Sequence, residues 1–149
     1  MGLLASVIIA TSVYFLLTLD FSAKREERPF SGIILEGQDM TMLSDNVYFY
    51  IKGYSKSDCV IKLHNTIIDK SIVFYLQNEQ YSIQSIPVGY YRMKAACGSE
   101  WLNSVQHFGQ NTLYFQTEEL LEIFSDFSII LEPDEPGTIP IHTINKPDF

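Results

Sequence analysis

The stretch SIPVGYYRMKAACGSEW, Ser85 to Trp101, is a turn that leads into a long strand. Pro87 has a fixed φ and no N–H group, so it ends the preceding strand, and Gly89 permits positive φ in the turn that follows. The next residues are predicted to alternate between buried and solvent-exposed side chains with a period of two, until Gly98 ends the run. We therefore predict a β-strand between two turns, with Trp101 capping one end of the core.

The same period of two recurs on the N-terminal side of this stretch. It runs through VYFYI (47–51), CVIKL (59–63) and IVFYL (72–76), with turn residues roughly every 8–12 residues. This spacing is typical of the short strands of a sandwich or barrel. The predicted fold class is all-β: a small antiparallel β-sandwich of about seven strands over residues 46–133.

The segment EELLEIFSDFSIILEP (118–133) fits one face of a helix as well as one face of a strand. We favour strand, as a hairpin turning at Ser125-Asp126, because phenylalanine, isoleucine and leucine are abundant and Pro133 ends the run. Residues 134–149 are rich in proline and are predicted to form an extended tail or a last short strand at 139–144.

Eighteen uncharged residues, GLLASVIIATSVYFLLTL, run from Gly2 to Leu19. As a helix they would span roughly 27 Å, close to the hydrocarbon thickness of a bilayer. A buried core helix, a cleaved signal peptide and an uncleaved signal-anchor all fit such a run. We favour the signal-anchor, a transmembrane helix over residues 1–20, because no basic side chain precedes the run and it exceeds the usual h-region of roughly 7–15 residues. Residues 21–45 follow as a weakly ordered linker.

The orientation of the predicted membrane segment rests on two opposing indications. Lys24, Arg25 and Arg28 follow the segment, and the positive-inside rule would then place the remaining chain in the cytoplasm. The acidic, lysine-poor and β-rich body is more typical of an extracytoplasmic domain, and we favour that side, periplasmic or cell-surface. The expected partners are the bilayer, through residues 2–19, and a protein of the envelope.

The charge balance excludes one class of partner. The formal net charge is −8, and every charged side chain follows Leu19. A surface this acidic repels phosphate backbones, so we expect no nucleic-acid partner.

The string IPVGYYRMKA (86–95) resembles the turn-and-strand signature of carboxypeptidase regulatory-like, prealbumin-type β-sandwich domains. A longer pattern resembles that of uncharacterised bacterial membrane-anchored or secreted β-sandwich proteins. Its elements here are Pro87, Gly89, Tyr91, Gly98, Trp101, Phe108, Gly109 and Thr112. The resemblance implies a β-sandwich and an envelope location, and it implies no catalytic residue.

Candidate catalytic and metal-binding residues form no recognisable motif. The histidines lie in different predicted elements: His64, His107 and His142. Nucleophilic catalysis needs a base within hydrogen-bond reach, and a metal site needs three or four converging ligands. The acidic cluster Glu118, Glu119 and Glu122 contains the two carboxylates that glycoside hydrolysis needs, but a solvated surface is the commoner role. We expect no enzymatic activity, no metal and no cofactor.

Cys59 and Cys97 are the only cysteines, and both fall on predicted strands. In an extracytoplasmic domain they would form one disulfide. In the cytoplasm they would be two small buried side chains. The sequence leaves both alternatives open.

Four tyrosines fall on the strand faces opposite those assigned to the core: Tyr48, Tyr50, Tyr75 and Tyr90. An exposed aromatic face suits a glycan, a peptide or another subunit. The predicted function is a non-catalytic, membrane-anchored β-sandwich that acts as a binding or accessory module at the cell envelope. The alternative is a structural subunit of a larger membrane protein complex.

Overall fold

The computed structural model describes residues 25–132, 141–145 and 149. Within these residues the protein is all-β, with ten strands and no α-helix. The strands are β1 (Ile34–Glu36), β2 (Asn46–Lys52), β3 (Asp58–Asn65), β4 (Lys70–Leu76), β5 (Tyr81–Pro87), β6 (Gly89–Gly98), β7 (Leu113–Thr117), β8 (Leu121–Ile123), β9 (Phe127–Ile130) and β10 (Ile141–Thr143). Short 3₁₀ turns occupy Gln38–Met42 and Gly109–Asn111. The predicted all-β class is confirmed, and the described part has more strands than expected.

The strands form two sheets. Sheet A has the order β1-β4-β3-β6-β7-β10, with β8 also paired to β6, and sheet B has the order β5-β2-β9. All pairs are antiparallel except β2 with β9, which are parallel. The prediction of a purely antiparallel sandwich is therefore wrong at this pair.

The strand interpretation of residues 118–133 is confirmed, but the predicted hairpin at Ser125-Asp126 is wrong. β8 pairs with β6 in sheet A, whereas β9 pairs with β2 in sheet B. The chain therefore crosses from one sheet to the other at these residues. Ile123 and Ile129 both belong to the core, so each strand buries its apolar side without pairing with the other.

The main core lies between the two sheets and follows the predicted period of two. β3 contributes Cys59, Ile61 and Leu63, and the central strand of sheet B contributes Phe49 and Ile51. All five side chains are fully buried. Burying one such large apolar side chain contributes about 1.5–3 kcal/mol relative to leaving it exposed, so this layer is the main source of stability.

Strand β5 departs from the usual arrangement of apolar side chains inside and polar side chains outside. Ser82 and Gln84 are buried, while Tyr81 and Ile83 are exposed. Gln84 Nε2 donates to the backbone oxygen of Gly32 at 3.1 Å and to Ser82 Oγ at 2.9 Å. These bonds satisfy an amide whose burial would otherwise be unfavourable. The apolar side of β5 is thereby turned to solvent.

A second apolar cluster covers the outer face of sheet A. Its members are Val60, Val73, Tyr75, Ala96, Trp101, Phe108 and Tyr114. The Trp101 and Tyr75 rings meet edge to face, with centroids 4.9 Å apart. The expectation that Trp101 caps one end of the core is therefore wrong. The loop 99–112 folds back over sheet A and places this ring on the face of the sheet.

Residues of the pattern that resembles envelope sandwiches lie at both ends of β6. At its start the Tyr91 hydroxyl donates to the Pro87 carbonyl, and Gly89 adopts φ 155°. At its end Gly98 packs against the Phe108 side chain. The pattern thus fixes where the longest strand begins and where the loop that covers sheet A begins.

We expect Gly98→Ala to lower the free energy of unfolding by about 2 kcal/mol. A Cβ atom on Gly98 would overlap Cβ and Cγ of Phe108, a buried ring that holds loop 99–112 on sheet A. Urea unfolding of the variant measures the effect. The matched control is Ser99→Ala at the exposed neighbouring position, for which a change within about 0.5 kcal/mol is expected. An unchanged midpoint for Gly98→Ala would contradict the packing of Phe108 on this strand end.

The described residues 25–45 belong to the sandwich and are not a detached linker. β1 pairs with β4, and the backbones of Gly32 and Ile33 extend that pairing by two further hydrogen bonds to β4. Arg28 binds Asp58 on β3. The predicted domain boundary therefore moves from residue 46 to at least residue 28. Charges, proline and glycine suggested a linker here, but local composition does not reveal pairing with a distant strand.

The predicted membrane segment, residues 1–20, lies outside the described residues, as does much of the predicted tail at 134–149. In the part of the chain that the structure describes, no helix has the length and apolar character needed to span a bilayer. The short strand expected near 139–144 is present as β10, which pairs with β7.

Candidate functional site

The outer side of sheet B is an exposed apolar surface. Eight side chains point outward, as the alternation of burial along β2, β5 and β9 shows. We call them the sheet B face: Tyr48, Tyr50, Lys52, Tyr81, Ile83, Ser85, Ser128 and Ile130. Tyr81 is 69% exposed, Ile83 58% and Tyr48 54%. Large apolar side chains concentrated on one exposed surface are typical of an interaction site.

The strand register makes these side chains neighbours. Tyr50 lies opposite Ile83 on β5 and opposite Ser128 on β9, and Lys52 lies opposite Tyr81. Directly opposed Cβ atoms in a sheet are about 4.5–5.5 Å apart. The outward side chains of the three strands therefore form one continuous surface.

The sheet B face carries no carboxylate, although the chain has 18 acidic residues. Its single charge is Lys52, whose ammonium nitrogen lies 5.8 Å from the centroid of the Tyr81 ring, within reach of a cation–π interaction. The Tyr48 and Tyr50 ring centroids are 6.3 Å apart. The face is an aromatic, nearly neutral surface on an acidic protein, and it can pack against an uncharged amphipathic ligand.

The tyrosines of the sheet B face stand on a fixed backbone. β2 is the central strand of its sheet and pairs with β5 on one side and with β9 on the other. Its inward side chains Phe49 and Ile51 are fully buried. A ligand that docks here orders little backbone, which lowers the entropic cost of binding.

The four tyrosines predicted as one binding face do not lie together. Tyr48 and Tyr50 are on the sheet B face. Tyr90 is on β6 of sheet A, where its ring centroid lies 5.3 Å from that of Phe124. Tyr75 is fully buried under the loop that covers sheet A, so its inclusion is wrong. The period of two placed each tyrosine opposite the main core but did not reveal that sheet A is covered on both faces.

Three large side chains of the sheet B face were missed: Tyr81, Ile83 and Ile130. The alternation in YSIQSI (81–86) indicates that Tyr81 and Ile83 share one side of a strand. It favours the apolar side as the buried one. In the structure the opposite side of the strand, with Ser82 and Gln84, is buried. It can be buried because the distant Gly32 carbonyl accepts a hydrogen bond from Gln84.

A second exposed apolar surface lies at the end of the sandwich where β6 begins. We call it the apolar tip: Met42, Leu43, Ile67, Ile68, Tyr90 and Phe124, all exposed. Asn65 Oδ1 accepts hydrogen bonds from the N–H groups of Ile67 and Ile68, which fixes both isoleucines at the β3–β4 turn. The backbone of Thr66 donates to the Tyr90 carbonyl, which joins this turn to the start of β6.

The described chain begins at the opposite end of the sandwich. The Glu26 N–H donates to the Leu102 carbonyl, just beyond the last residue of β6. At about 3.3 Å per residue, the length of β6 places the apolar tip roughly 30 Å from that point. The tip therefore projects away from the side on which residue 25 enters.

A buried carboxylate joins the N-terminal segment to sheet A. Asp58 Oδ2 accepts from Arg28 Nε at 2.6 Å and from the Tyr75 hydroxyl at 2.7 Å. Its Oδ1 accepts from Arg28 Nη2 at 2.7 Å and from the Asn78 N–H at 2.9 Å. Protein donors thus occupy both oxygens. This network is a structural element that holds the segment around Arg28 on the sheet.

The environment of Asp58 shifts two pKa values. Burial acts to raise the pKa of Asp58, but the hydrogen bonds from Arg28, Tyr75 and Asn78 outweigh it and hold that pKa below its usual value. Burial, together with the adjacent carboxylate, raises the pKa of Tyr75. The charged carboxylate and the neutral phenol are therefore the forms that the fold requires.

The structure brings a serine and an aspartate to His64, although no sequence motif indicates this contact. Ser71 Oγ lies 3.0 Å from His64 Nδ1, and the Asp69 carboxylate lies 3.3 Å from Nε2. A hydrolytic triad relies on a buried, hydrogen-bonded acid to orient its histidine. The Asp69 side chain is 90% exposed, so water competes for it. We interpret these contacts as cross-strand stabilisation of the β3–β4 hairpin.

The remaining candidate catalytic residues are dispersed. The His107 ring stacks on Trp101 with centroids 6.5 Å apart, and His142 is exposed on β10. The glutamates Glu118, Glu119 and Glu122 are exposed. Among residues 25–132, 141–145 and 149, no three histidine, cysteine, aspartate or glutamate side chains converge in a way that would hold a metal ion.

Cys59 and Cys97 form a disulfide, which is one of the two alternatives that the sequence left open. They are direct cross-strand partners in the register of β3 and β6. Both are fully buried in the main core. The bond therefore links the two central strands of sheet A.

Searches against protein-family models, curated proteins and solved structures found no match to this chain.

Proposed function

We propose that the protein is a non-catalytic binding module whose ligand docks on the sheet B face. The observation that carries the proposal is the concentration of exposed tyrosine and isoleucine on this face, with no carboxylate among its eight side chains. A sheet side that faces water usually carries polar residues. The solvent-exposed parts of these side chains are not buried by folding, so binding is the role that best accounts for them.

We propose further that the module acts outside the cytoplasm, at the cell envelope, and is anchored by the apolar segment 2–19. The length of this uncharged run supports a membrane span. The disulfide supports an oxidising compartment, because such bonds persist in secreted and periplasmic proteins and are rare in the cytosol. The resemblance of the longer pattern that begins at Pro87 to membrane-anchored or secreted β-sandwich proteins supports the same location.

A structural subunit of a larger membrane complex is the second candidate function, and the apolar tip favours it. Ile67 is 61% exposed and Phe124 53% exposed at this end of the sandwich. If residues 2–19 lie in a bilayer, the tip points away from the membrane and is available to another protein. In this case the tip, and not the sheet B face, would be covered in the cell.

Cysteine labelling in intact cells distinguishes the two functions. The native cysteines are buried in a disulfide and remain silent. Single exposed positions then serve as probes in the full chain: Ser128→Cys on the sheet B face, Ile67→Cys at the tip and Val105→Cys on the loop that covers sheet A. Rates of labelling by a membrane-impermeant maleimide are compared between cells and purified protein.

A binding module is expected to show at least about fivefold slower labelling at position 128 in cells, with the rates at positions 67 and 105 unchanged. Selective protection at position 67 would support the structural subunit and contradict the first proposal. The Val105→Cys probe is also the control for location, because the native Val105 side chain is 81% exposed. Its labelling only after membrane permeabilisation would contradict an extracytoplasmic domain.

A further inference from the structure

We propose that the sheet B face binds a linear, uncharged polysaccharide whose pyranose rings stack along a row of tyrosines. The row consists of Tyr48 and Tyr50 on β2 and Tyr81 on β5. This inference rests on the proposed binding function and specifies the chemistry of the ligand.

The geometry of the tyrosine row fits an extended ligand. Tyr48 and Tyr50 are two residues apart on one strand, and Tyr81 is the diagonal neighbour of Tyr50, because Lys52 is the residue directly opposite Tyr81. Diagonal neighbours in a sheet are about 7–8 Å apart. With 6.3 Å between the centroids of the first two rings, the row spans roughly 14 Å. That length accommodates several sugar units in line.

The size of the face argues against a globular partner. Two strands of seven residues and one of four, about 4.8 Å apart with a rise of about 3.3 Å per residue, cover roughly 280 Å² of flat area. A standard protein interface buries about 800 Å² on each partner. A second copy of this chain would also bring together two proteins that each carry a net charge of −8, which repel each other at long range. A narrow ligand fills the face, whereas a protein would extend far beyond it.

The chemistry of the face argues for a sugar over a peptide. An extended peptide adds to a sheet at its edge, where unpaired main-chain groups give it hydrogen bonds, and a sheet face has no such groups. A pyranose has an apolar C–H face that packs on an aromatic ring and hydroxyl groups around its rim. Two hydroxyls and one ammonium flank the row as donors to that rim. Ser85 lies opposite Tyr48, Ser128 lies opposite Tyr50 and Lys52 lies opposite Tyr81.

The charge of the face argues for an uncharged chain. With no carboxylate present, it does not repel acidic sugars directly, but its only cation is Lys52, which already lies over the Tyr81 ring. The rest of the acidic protein disfavours an anionic polymer. A neutral glucan, mannan or xylan meets neither an unpaired charge nor a long-range repulsion.

Affinity electrophoresis of the full chain in detergent tests the inference. The gels contain a soluble neutral β-glucan, α-glucan, mannan or xylan, and a parallel gel contains polygalacturonate. We expect at least one neutral polysaccharide to retard the protein, and Tyr50→Ala or Tyr81→Ala to weaken that binding about tenfold each. The matched control is Tyr90→Ala, an exposed tyrosine on the other sheet, which should bind as the native protein does.

Three results would overturn the inference: retardation by none of the neutral polysaccharides, stronger retardation by polygalacturonate, or retardation that survives Tyr50→Ala and Tyr81→Ala. The labelling experiment separates this failure from a failure of the proposed function. Protection of the cysteine at position 128 in cells, without polysaccharide binding, would leave the binding module in place and exclude its sugar ligand. If neither protection at position 128 nor polysaccharide binding is observed, both proposals are contradicted.

Discussion

Reduction of the Cys59–Cys97 disulfide is expected to lower the free energy of unfolding by about 4 kcal/mol. The bond closes a chain segment between residues 38 positions apart, and opening that loop restores conformational freedom to the unfolded chain. The native contacts of β3 and β6 stay the same, because the two strands are paired along their length without the bond. Urea unfolding of the oxidised and reduced protein measures the difference from the two midpoints.

A variant with both cysteines replaced by alanine controls for side effects of the reductant. Its stability should be independent of reductant and close to that of the reduced protein, apart from the small loss of buried sulfur. Equal midpoints for oxidised and reduced native protein would contradict the stabilising role.

The strands of the main core are predictable from the sequence because alternation is a local property. Side chains of a strand point to opposite sides in turn, and a sheet with one buried side leaves a period of two in the chain. The runs at 47–51, 59–63 and 72–76 show this period and form β2, β3 and β4. The turn residues Pro87 and Gly89 mark the start of β6 for an equally local reason.

The cover over each sheet is not predictable in this way, because it depends on distant segments. Tyr75 is buried since Trp101 and Phe108 return over the outer side of sheet A. Gln84 is buried since the carbonyl of Gly32 reaches it. Periodicity shows which residues share a side of a strand. Only the three-dimensional path of the chain shows which side meets water.

The candidate site was predicted in part for the same reason. Tyr48 and Tyr50 alternate with buried Phe49 on a strand whose outer side stays uncovered, so local alternation placed them correctly on an exposed side. The parallel pairing of β9 with β2, which brings Ile130 to this surface, joins residues about 80 positions apart. No short-range pattern encodes such a contact. The sequence therefore predicts only some of the residues that form the sheet B face.

Asp58→Asn is expected to lower the free energy of unfolding by about 3 kcal/mol at neutral pH. The substitution keeps the size of the side chain but replaces a charged acceptor by an amide, whose N–H₂ group would face the donors of Arg28 and Tyr75. Removing one partner of a buried ion pair commonly costs about 3–5 kcal/mol. The lower end of this range applies here, because the Arg28 side chain is 49% exposed and water can solvate its charge when the pair is broken.

The effect of this substitution should depend on pH with a definite sign. The folded state lowers the pKa of Asp58 from its usual 3.8, so the folded state favours the ionised form. The stabilisation is complete above about pH 4 and is lost as the pH falls through the lower pKa of the folded state. The difference in stability between the native protein and Asp58→Asn should therefore be constant from pH 5 to 8 and shrink below about pH 4.

Asp39→Asn is the matched control for a surface ion pair. Asp39 binds Lys70 at 2.7 Å, as close as the contacts of Asp58, but the two side chains are 63% and 49% exposed. Such pairs contribute little to stability, because water solvates the separated charges nearly as well. Urea unfolding of both variants across the pH range measures the contrast. Equal effects of the two substitutions, or a difference for Asp58→Asn that grows as the pH falls, would show that the donors from Arg28 and Tyr75 do not hold this carboxylate ionised.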